Sequence, residues 1–407
     1  DVDLGDLSQM LNWVDKLDGG GITREAFRSD PPVIWRGRMI DVEAGYLSDW
    51  NIVGLAVESD ETFYESLFPN SLPGTLFEFS GAYQAVEELE LGKGYLLRFS
   101  EAGSVTFSGY PINELTIGLS QNWNLFSGLS VPLPVENIND PEGIIVPGTI
   151  YELTGSYADA DTLHPGKGYW IRATEVGEIT LTAGALARQL SFSKGTADAN
   201  SLTFSHNGHS VDLYFGKGIP ENEWLSYSLP PVFPGMAFDA RFTGDMKYMV
   251  DSGEIKVLNQ SETLTLKYDI KLDMDEHMNW VLTSASDKDY ILEGTGEITV
   301  PSSERFVLTR EPVIPVTFNL HQNFPNPFNP ITTLSYDLPK DSDIRLAIFD
   351  MLGNEIVTLL STHQQAGFRS VQWDATDSMG RPVSAGVYLY QIQAGEFVQT
   401  KKMVLLK

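Results

Sequence analysis

Gly92-Lys93-Gly94-Tyr95-Leu96-Leu97-Arg98 recurs 74 positions later as Gly166-Lys167-Gly168-Tyr169-Trp170-Ile171-Arg172. At the same offset, Pro73-Gly74-Thr75-Leu76-Phe77-Glu78-Phe79-Ser80-Gly81-Ala82-Tyr83 returns as Pro147-Gly148-Thr149-Ile150-Tyr151-Glu152-Leu153-Thr154-Gly155-Ser156-Tyr157. Trp50-Asn51-Ile52-Val53-Gly54-Leu55 matches Trp123-Asn124-Leu125-Phe126-Ser127-Gly128-Leu129, and Val105-Thr106 matches Ile179-Thr180. Self-similarity at a fixed period marks repeated supersecondary units. Two units are read at 46–110 and 117–184. Thr75 to Phe79 and Thr149 to Leu153 alternate as strands do. Each Gly-Lys-Gly step lets a loop tighten ahead of a buried strand. It is no phosphate loop, because the spaced glycines and the hydroxyl residue after lysine are missing. With two copies, the expectation is one packed body and not a solenoid.

Working outward, residues 185–311 carry strand-like runs at Ser201 to Phe204, Val211 to Phe215, Ala237 to Phe242, Glu262 to Leu272, Trp280 to Leu282, Ile291-Leu292 and Phe306 to Thr309. Leu264, Leu266, Tyr268 and Ile270 alternate strictly, so this stretch reads as a β-sandwich. Leu229-Pro230-Pro231-Val232-Phe233-Pro234-Gly235 reads as a rigid, linker-like loop, and Glu311 to Pro315 as a hinge.

Residues 312–407 open on Asn323-Phe324-Pro325-Asn326-Pro327-Phe328-Asn329-Pro330. Three prolines fix φ and remove donors, which predicts an extended, turn-rich lead-in, with Phe324 and Phe328 pinning it to the domain behind. Leu334, Tyr336 and Leu338 share one strand face, as do Ile344, Leu346 and Ile348. Leu352-Gly353-Asn354 and Gly395-Glu396 supply turns, and Val371 and Trp373 sit on a further strand. Seven short strands predict a small antiparallel sandwich.

That lead-in, with Gly386-Val387-Tyr388 and the closing Lys401-Lys402-Met403-Val404-Leu405, resembles the type A C-terminal sorting domain of the type IX secretion system. The resemblance implies a secreted or cell-surface protein and the secretion machinery as partner. It also implies a label recognised as a folded sandwich and cut near Glu311 to Gln322. Its implied motif residues are Asn323, Phe324, Pro325, Asn326, Pro327, Gly386, Tyr388, Lys401 and Lys402. Residues 343–392 also resemble the Ig-like domain of the flagellar hook-capping protein, and an ordinary structural Ig-like module remains the alternative. The tandem units resemble the "Trp-Asn-Leu-Ile-Ser" modules of secreted surface proteins. Asp1 to Leu7 resembles the back half of a dockerin calcium loop, with Asp3 and Asp6 as its last two ligands and Ca2+ as the implied ion. Leu7, Val14 and Leu17 continue it at helical spacing, so residues 1–45 read as a remnant helix plus linker.

The 407 residues hold 55 acidic and 27 basic side chains, a net charge of −28. Of these, 47 acidic and 20 basic residues lie at or before Glu311, leaving the stretch from Pro312 nearly neutral. Such a charge disfavours nucleic acid as a partner. There is no cysteine, so disulfides and thiolate chemistry are excluded. No apolar run reaches the roughly 18 residues of a transmembrane segment. The chain starts at Asp1 with no signal peptide, and an exported protein of this kind is expected to be a processed form or the C-terminal part of a longer one.

Nothing in the sequence nominates a catalyst. The six histidines form no zinc motif, and no nucleophile elbow is present. His206 and His209 flank an Asn-Gly turn, and Asp273, Asp275 and Glu276 cluster beside His277. Trp123, Tyr169 and Trp170 are the candidate platform for a sugar ring, with core packing as the ordinary role of strand aromatics. The expected fold is all-β and multidomain: a short N-terminal helix, tandem β repeats and two antiparallel Ig-like sandwiches. The expected function is non-catalytic adhesion or self-assembly. The alternative is a polysaccharide-binding accessory region of a carbohydrate-active enzyme whose catalytic domain lies upstream.

Overall fold

Alternating apolar residues become strands throughout the computed structural model, which describes residues 38–184, 195–259, 261–271 and 278–406. Asp3, Asp6 and the helix expected after them lie outside the described residues, as does the cluster from Asp273 to His277. The chain divides into two compact units at Phe192/Ser193.

The first unit holds the tandem repeat. In the first copy β1 (Ile40–Tyr46) pairs with β6 (Gly103–Gly109). A four-stranded sheet sets β2 (Asp49–Val53), β5 (Tyr95–Phe99), β3 (Phe77–Phe79) and β4 (Tyr83–Ala85) side by side in that order. A one-turn helix, α1 (Tyr64–Leu67), occupies the connection from β2 to β3. The second copy reproduces this: β7 (Glu114–Leu119) pairs with β14 (Gly177–Thr182). Its four-stranded sheet runs β8 (Asn122–Ser127), β13 (Gly168–Ala173), β10 (Tyr151–Leu153), β11 (Tyr157–Asp159). It adds a small ladder of β9 (Leu133–Pro134) with β12 (Thr162–Leu163). The opening strands thus begin at Ile40 and Glu114, so that 46 is the last residue of β1 and 117 falls within β7. The opening strands IDVEAGY and ELTIGL share little beyond Gly45 and Gly118, so self-similarity does not reveal them.

The repeated residues carry the same bonds in both copies. Asn51 accepts from the Leu47 amide (2.9 Å) and donates to the Leu47 and Asp49 carbonyls, closing the turn between β1 and β2. Asn124 does the same with Ser120 and Asn122. Asp49 and Asn122 hold positive φ at those turns, a conformation that Asn and Asp tolerate better than other side chains. Thr75 and Thr149 each donate to a carbonyl three residues back (2.6 and 2.7 Å) and accept from the amides of Arg98 and Arg172. The Tyr95 and Tyr169 hydroxyls accept from the Glu90 and His164 amides. Arg98 lies over Trp50 and Arg172 over Trp123, at 5.8 and 5.7 Å. The repeat motif is thus a set of turn locks and stacking pairs.

The Gly-Lys-Gly step does more than tighten a loop. The Gly54 amide donates to the Gly166 carbonyl of the other copy, and the Ser127 amide to the Gly92 carbonyl. Val53 bridges to Lys167 and Phe126 to Lys93. These are equivalent pairs, so the copies join across a local two-fold. A Cβ on Gly94 would stand 2.7 Å from the Phe126 carbonyl oxygen, and one on Gly168 would stand 2.8 Å from that of Val53. Gly54 faces Ser127, where a Cβ would come within 2.2 Å of the serine Cβ. Backbone contact this close requires glycine.

The second unit contains two sandwiches. Residues 195–312 form two five-stranded sheets. The first comprises β15 (Asn200–His206), β16 (His209–Phe215), β18 (Tyr248–Met249), β20 (Thr263–Asp269) and β23 (Thr295–Pro301). The second comprises β17 (Asp239–Phe242), β19 (Gly253–Leu258), β21 (Met278–Ser284), β22 (Asp289–Leu292) and β24 (Arg305–Pro312). All the expected runs appear; β18, β19 and β23 are additions. The sandwich departs from a purely antiparallel one because β16 and β18 run parallel. Asn207-Gly208 turns β15 into β16 with both residues at positive φ, placing His206 opposite His209.

The linker-like reading of Leu229 to Gly235 is overturned. Leu229 and Phe233 are buried, and Arg241 donates to the Pro230 carbonyl at 2.8 Å. Arg241 is itself 3% exposed and ion-paired to buried Asp239 and to Asp245. A proline-rich run looks like a linker in sequence; here it satisfies a buried cation. The hinge also shrinks, because β24 extends to Pro312, opposite Met278.

The last sandwich has the seven strands expected. One sheet orders β25 (Asn319–Leu320), β26 (Thr332–Leu338) and β29 (Gly367–Trp373). The other orders β28 (Glu355–Gln364), β27 (Ser342–Phe349), β30 (Gly386–Ala394) and β31 (Phe397–Leu405). Its core includes Leu334, Tyr336, Leu338, Ile344, Leu346 and Trp373.

Gly94→Ala is expected to destabilise the first unit by about 1–3 kcal/mol through overpacking against backbone. Gly118→Ala, which meets nothing within 4 Å, is expected to stay within about 0.5 kcal/mol of the parent; urea unfolding of both variants checks the contrast. Burial pushes the Tyr95 phenol up to about 12. The neutral form is thus favoured in the folded state, so its contribution is intact below the ordinary phenol value of about 10 and is lost as pH rises from there toward 12. Tyrosinate absorbance during alkaline titration should show a delayed class that titrates as the first unit unfolds.

Candidate functional site: the proline arch and the closing strand

The best-defined candidate site combines the two motif segments that the sequence sets far apart, Asn323 to Pro330 and Lys401 to Leu405. Proline at 325, 327 and 330 leaves this segment few donors, and the Asn323, Phe324 and Phe328 amides bond to the rest of the sandwich. The Asn326 side chain accepts from the Val404 amide at 3.0 Å. The Phe328 amide donates to the Val404 carbonyl, and the Leu406 amide to the Phe328 carbonyl. Phe328 thereby runs parallel to the end of β31 as an added rung. This covers that edge, where open amides and carbonyls would otherwise offer themselves to another chain.

Asn323 fixes the other foot of the arch. It is 2% exposed; its side chain donates to the Pro325 carbonyl (3.1 Å) and to Thr332 Oγ1 (2.9 Å). Its backbone amide donates to the Tyr390 hydroxyl, which in turn donates to the His321 carbonyl at 2.7 Å. Burial raises the Tyr390 phenol above its ordinary range, keeping it a neutral donor. Gln322 donates to the Lys402 carbonyl, a further tie between the arch and β31. The X-Pro bonds at 325 and 327 are cis.

The motif residues divide by role. Asn323 and Phe328 are buried; Tyr388 is buried against Trp373 at 5.4 Å and donates to the Ser384 carbonyl. Gly386 and Lys402 face solvent, and Lys401 stands on the core-facing side opposite Tyr390. Phe324 does not pin the segment: it is 80% exposed, held out between two anchored asparagines. Pro325 and Pro327 are exposed beside it. Tyr390 and Thr332, which hold the arch, are not among the motif residues that the resemblance implies. The signal for Tyr390 was the period-2 placement of Tyr388 and Tyr390 on one strand face.

The aromatic platform is corrected. Tyr169 and Trp170 have no exposed surface and Trp123 is half-buried. Trp170 sits edge-on to Phe79 and Tyr83 of the first copy and to Trp123 of its own. These aromatics join the two copies, and no flat face of Tyr169 or Trp170 is free for a sugar ring.

Residues 330–396 match the FlgD Ig-like domain. That match starts at the end of the arch and stops just before β31, so it covers the sandwich between the two motif segments and leaves both outside. No curated protein matches this sequence. Among solved structures the chain is similar to dimeric latent PorU from Porphyromonas gingivalis, at 10% identity and TM-score 0.20. That match covers 90% of this chain and only 30% of the PorU chain. The chain is also similar to PorZ, described as an essential surface component of the type-IX secretion system of the same organism. There identity is 9%, TM-score 0.17, and coverage 82% and 68% of the two chains. Likeness at these scores carries no argument about fold or function.

Asn323→Ala is expected to cost about 1–3 kcal/mol, because Thr332 and the Pro325 carbonyl lose a buried partner. Phe324→Ala should leave stability within about 0.5 kcal/mol. Asn326→Ala should speed hydrogen exchange at the Val404 amide without unfolding the sheet. Exchange measured by mass spectrometry on peptides covering 397–406 separates these outcomes.

Proposed function

We propose that this chain is a secreted or cell-surface, non-catalytic multidomain protein, exported by the type IX system through its C-terminal sandwich, with the upstream β modules serving adhesion or assembly. The observation that carries this reading is the union of arch and closing strand. Proline-rich entry and basic terminal strand are knit into a single surface on an Ig-like core, and the FlgD Ig-like match contains neither. A label read in the folded state needs such a fixed surface, and Phe324 offers an exposed apolar anchor upon it. A second reading, a polysaccharide-binding accessory region of a larger enzyme, is favoured by an open cleft in the first unit, lined by both charged and apolar side chains.

In a type IX-competent bacterium, a periplasm-directed reporter fused to residues 313–407 is expected outside the cell. The same fusion carrying Asn323→Ala with Asn326→Ala is expected to remain periplasmic. Retention of the unaltered fusion in the periplasm would overturn the export reading. Intact mass of the native protein recovered from the cell exterior then reports whether the sandwich is removed near Glu311 to Gln322.

A further inference from the structure

The local two-fold of the first unit generates two clefts at corresponding positions, and they differ in size. One, of about 380 Å3, lies between β7–β8 of the second copy and the Glu78–Ser80 and Leu91–Gly94 segments of the first. Its counterpart, of about 720 Å3, lies between β1–β2 of the first copy and the Glu152–Thr154 and Pro165–Gly168 segments of the second. Substitutions between the copies account for the difference. The small cleft receives Phe79 where the large one has Leu153. In the small cleft Lys93 is held by Glu90 (2.8 Å) and approached by Glu78 (3.8 Å). In the large cleft His164 replaces Glu90, and the Lys167 ammonium makes no ion pair among the described residues.

We propose that the larger cleft binds a short stretch of neutral, hydroxyl-rich carbohydrate chain. Its volume lies within the range of about 300–1,000 Å3 usual for small-ligand sites. Glu43 and Glu152 are acceptor-only groups when ionised, and Lys167 is donor-only. A sugar hydroxyl both donates and accepts, and so can bridge groups of both kinds. Two carboxylates, one ammonium and one imidazole give no surplus of positive charge, and the chain carries −28 overall, which disfavours a polyanion. Leu47, 49% exposed, with Pro132 and Pro165 supplies an apolar wall for a sugar C–H face. Gly166 and Gly168 fix the width, since a Cβ on either would strike Ala44 or Ile52 of the opposite copy. The site belongs to the cleft and not to the buried aromatics, and it stands independently of export and of any upstream catalytic domain.

Calorimetric titration of the full chain with cellohexaose, chitohexaose and maltohexaose tests this. At least one is expected to bind with a Kd below about 1 mM. Glu152→Gln and Lys167→Ala should each weaken that binding by about tenfold or more, while Lys93→Ala in the smaller cleft should change it by less than about twofold. Should either cleft variant fail to match the parent's circular dichroism and melting curve, Leu47→Ala serves in its place, with the same loss expected. Failure of all three hexasaccharides to bind, or binding indifferent to the larger-cleft variants, would overturn the proposal.

Discussion

The first unit depends on backbone meeting backbone at the local two-fold. Gly94 and Gly168 lie against the carbonyls of Phe126 and Val53, and Gly54 against Ser127. These contacts explain the glycine after each lysine, while the glycine before it, Gly92 or Gly166, holds a positive φ. Once the copies are that close, other features follow. Trp170 must be buried among aromatics of both copies. Lys93 and Lys167 are left on the rims of two clefts, where small differences in neighbouring residues produce unequal cavities. Duplication thus gave a scaffold whose halves can diverge, one cleft closing with ion pairs while the other stays open.

A different constraint governs the C-terminal sandwich. A segment with three prolines cannot join a regular ladder, so it makes its connections through asparagine side chains and the few amides that remain. Asn323 ties to Thr332 and Tyr390, and Asn326 to Val404. The result is a rigid arch that protects a sheet edge while displaying Phe324. An exposed aromatic on a fixed support loses little conformational freedom when a partner covers it, which favours recognition.

Much of this was legible in the sequence because alternation has a direct physical meaning. Leu334, Tyr336 and Leu338, or Ile344, Leu346 and Ile348, are buried as their period predicts. The Asn207-Gly208 turn and the seven strands of the last sandwich were equally readable. Strands lacking a marked pattern were missed, such as β18 with only two residues and β1 with its glycine and alternating charges. Leu229 to Gly235 misled because prolines signal irregular backbone without saying whether that backbone is exposed. The platform reading of Trp123, Tyr169 and Trp170 failed for a related reason: aromatic residues in a strand do not declare which of two packed bodies lies against them.

By itself, the sequence determined the all-β class, the duplication, the order of modules and the positions of both C-terminal motif segments, because periodicity, repetition and proline content are local properties. Tertiary structure alone decided that the two motif segments meet, that Asn323 is buried while Phe324 is exposed, and that the repeats form unequal clefts. Those outcomes depend on contacts between residues tens of positions apart, whose partners are set by packing and not by neighbouring sequence.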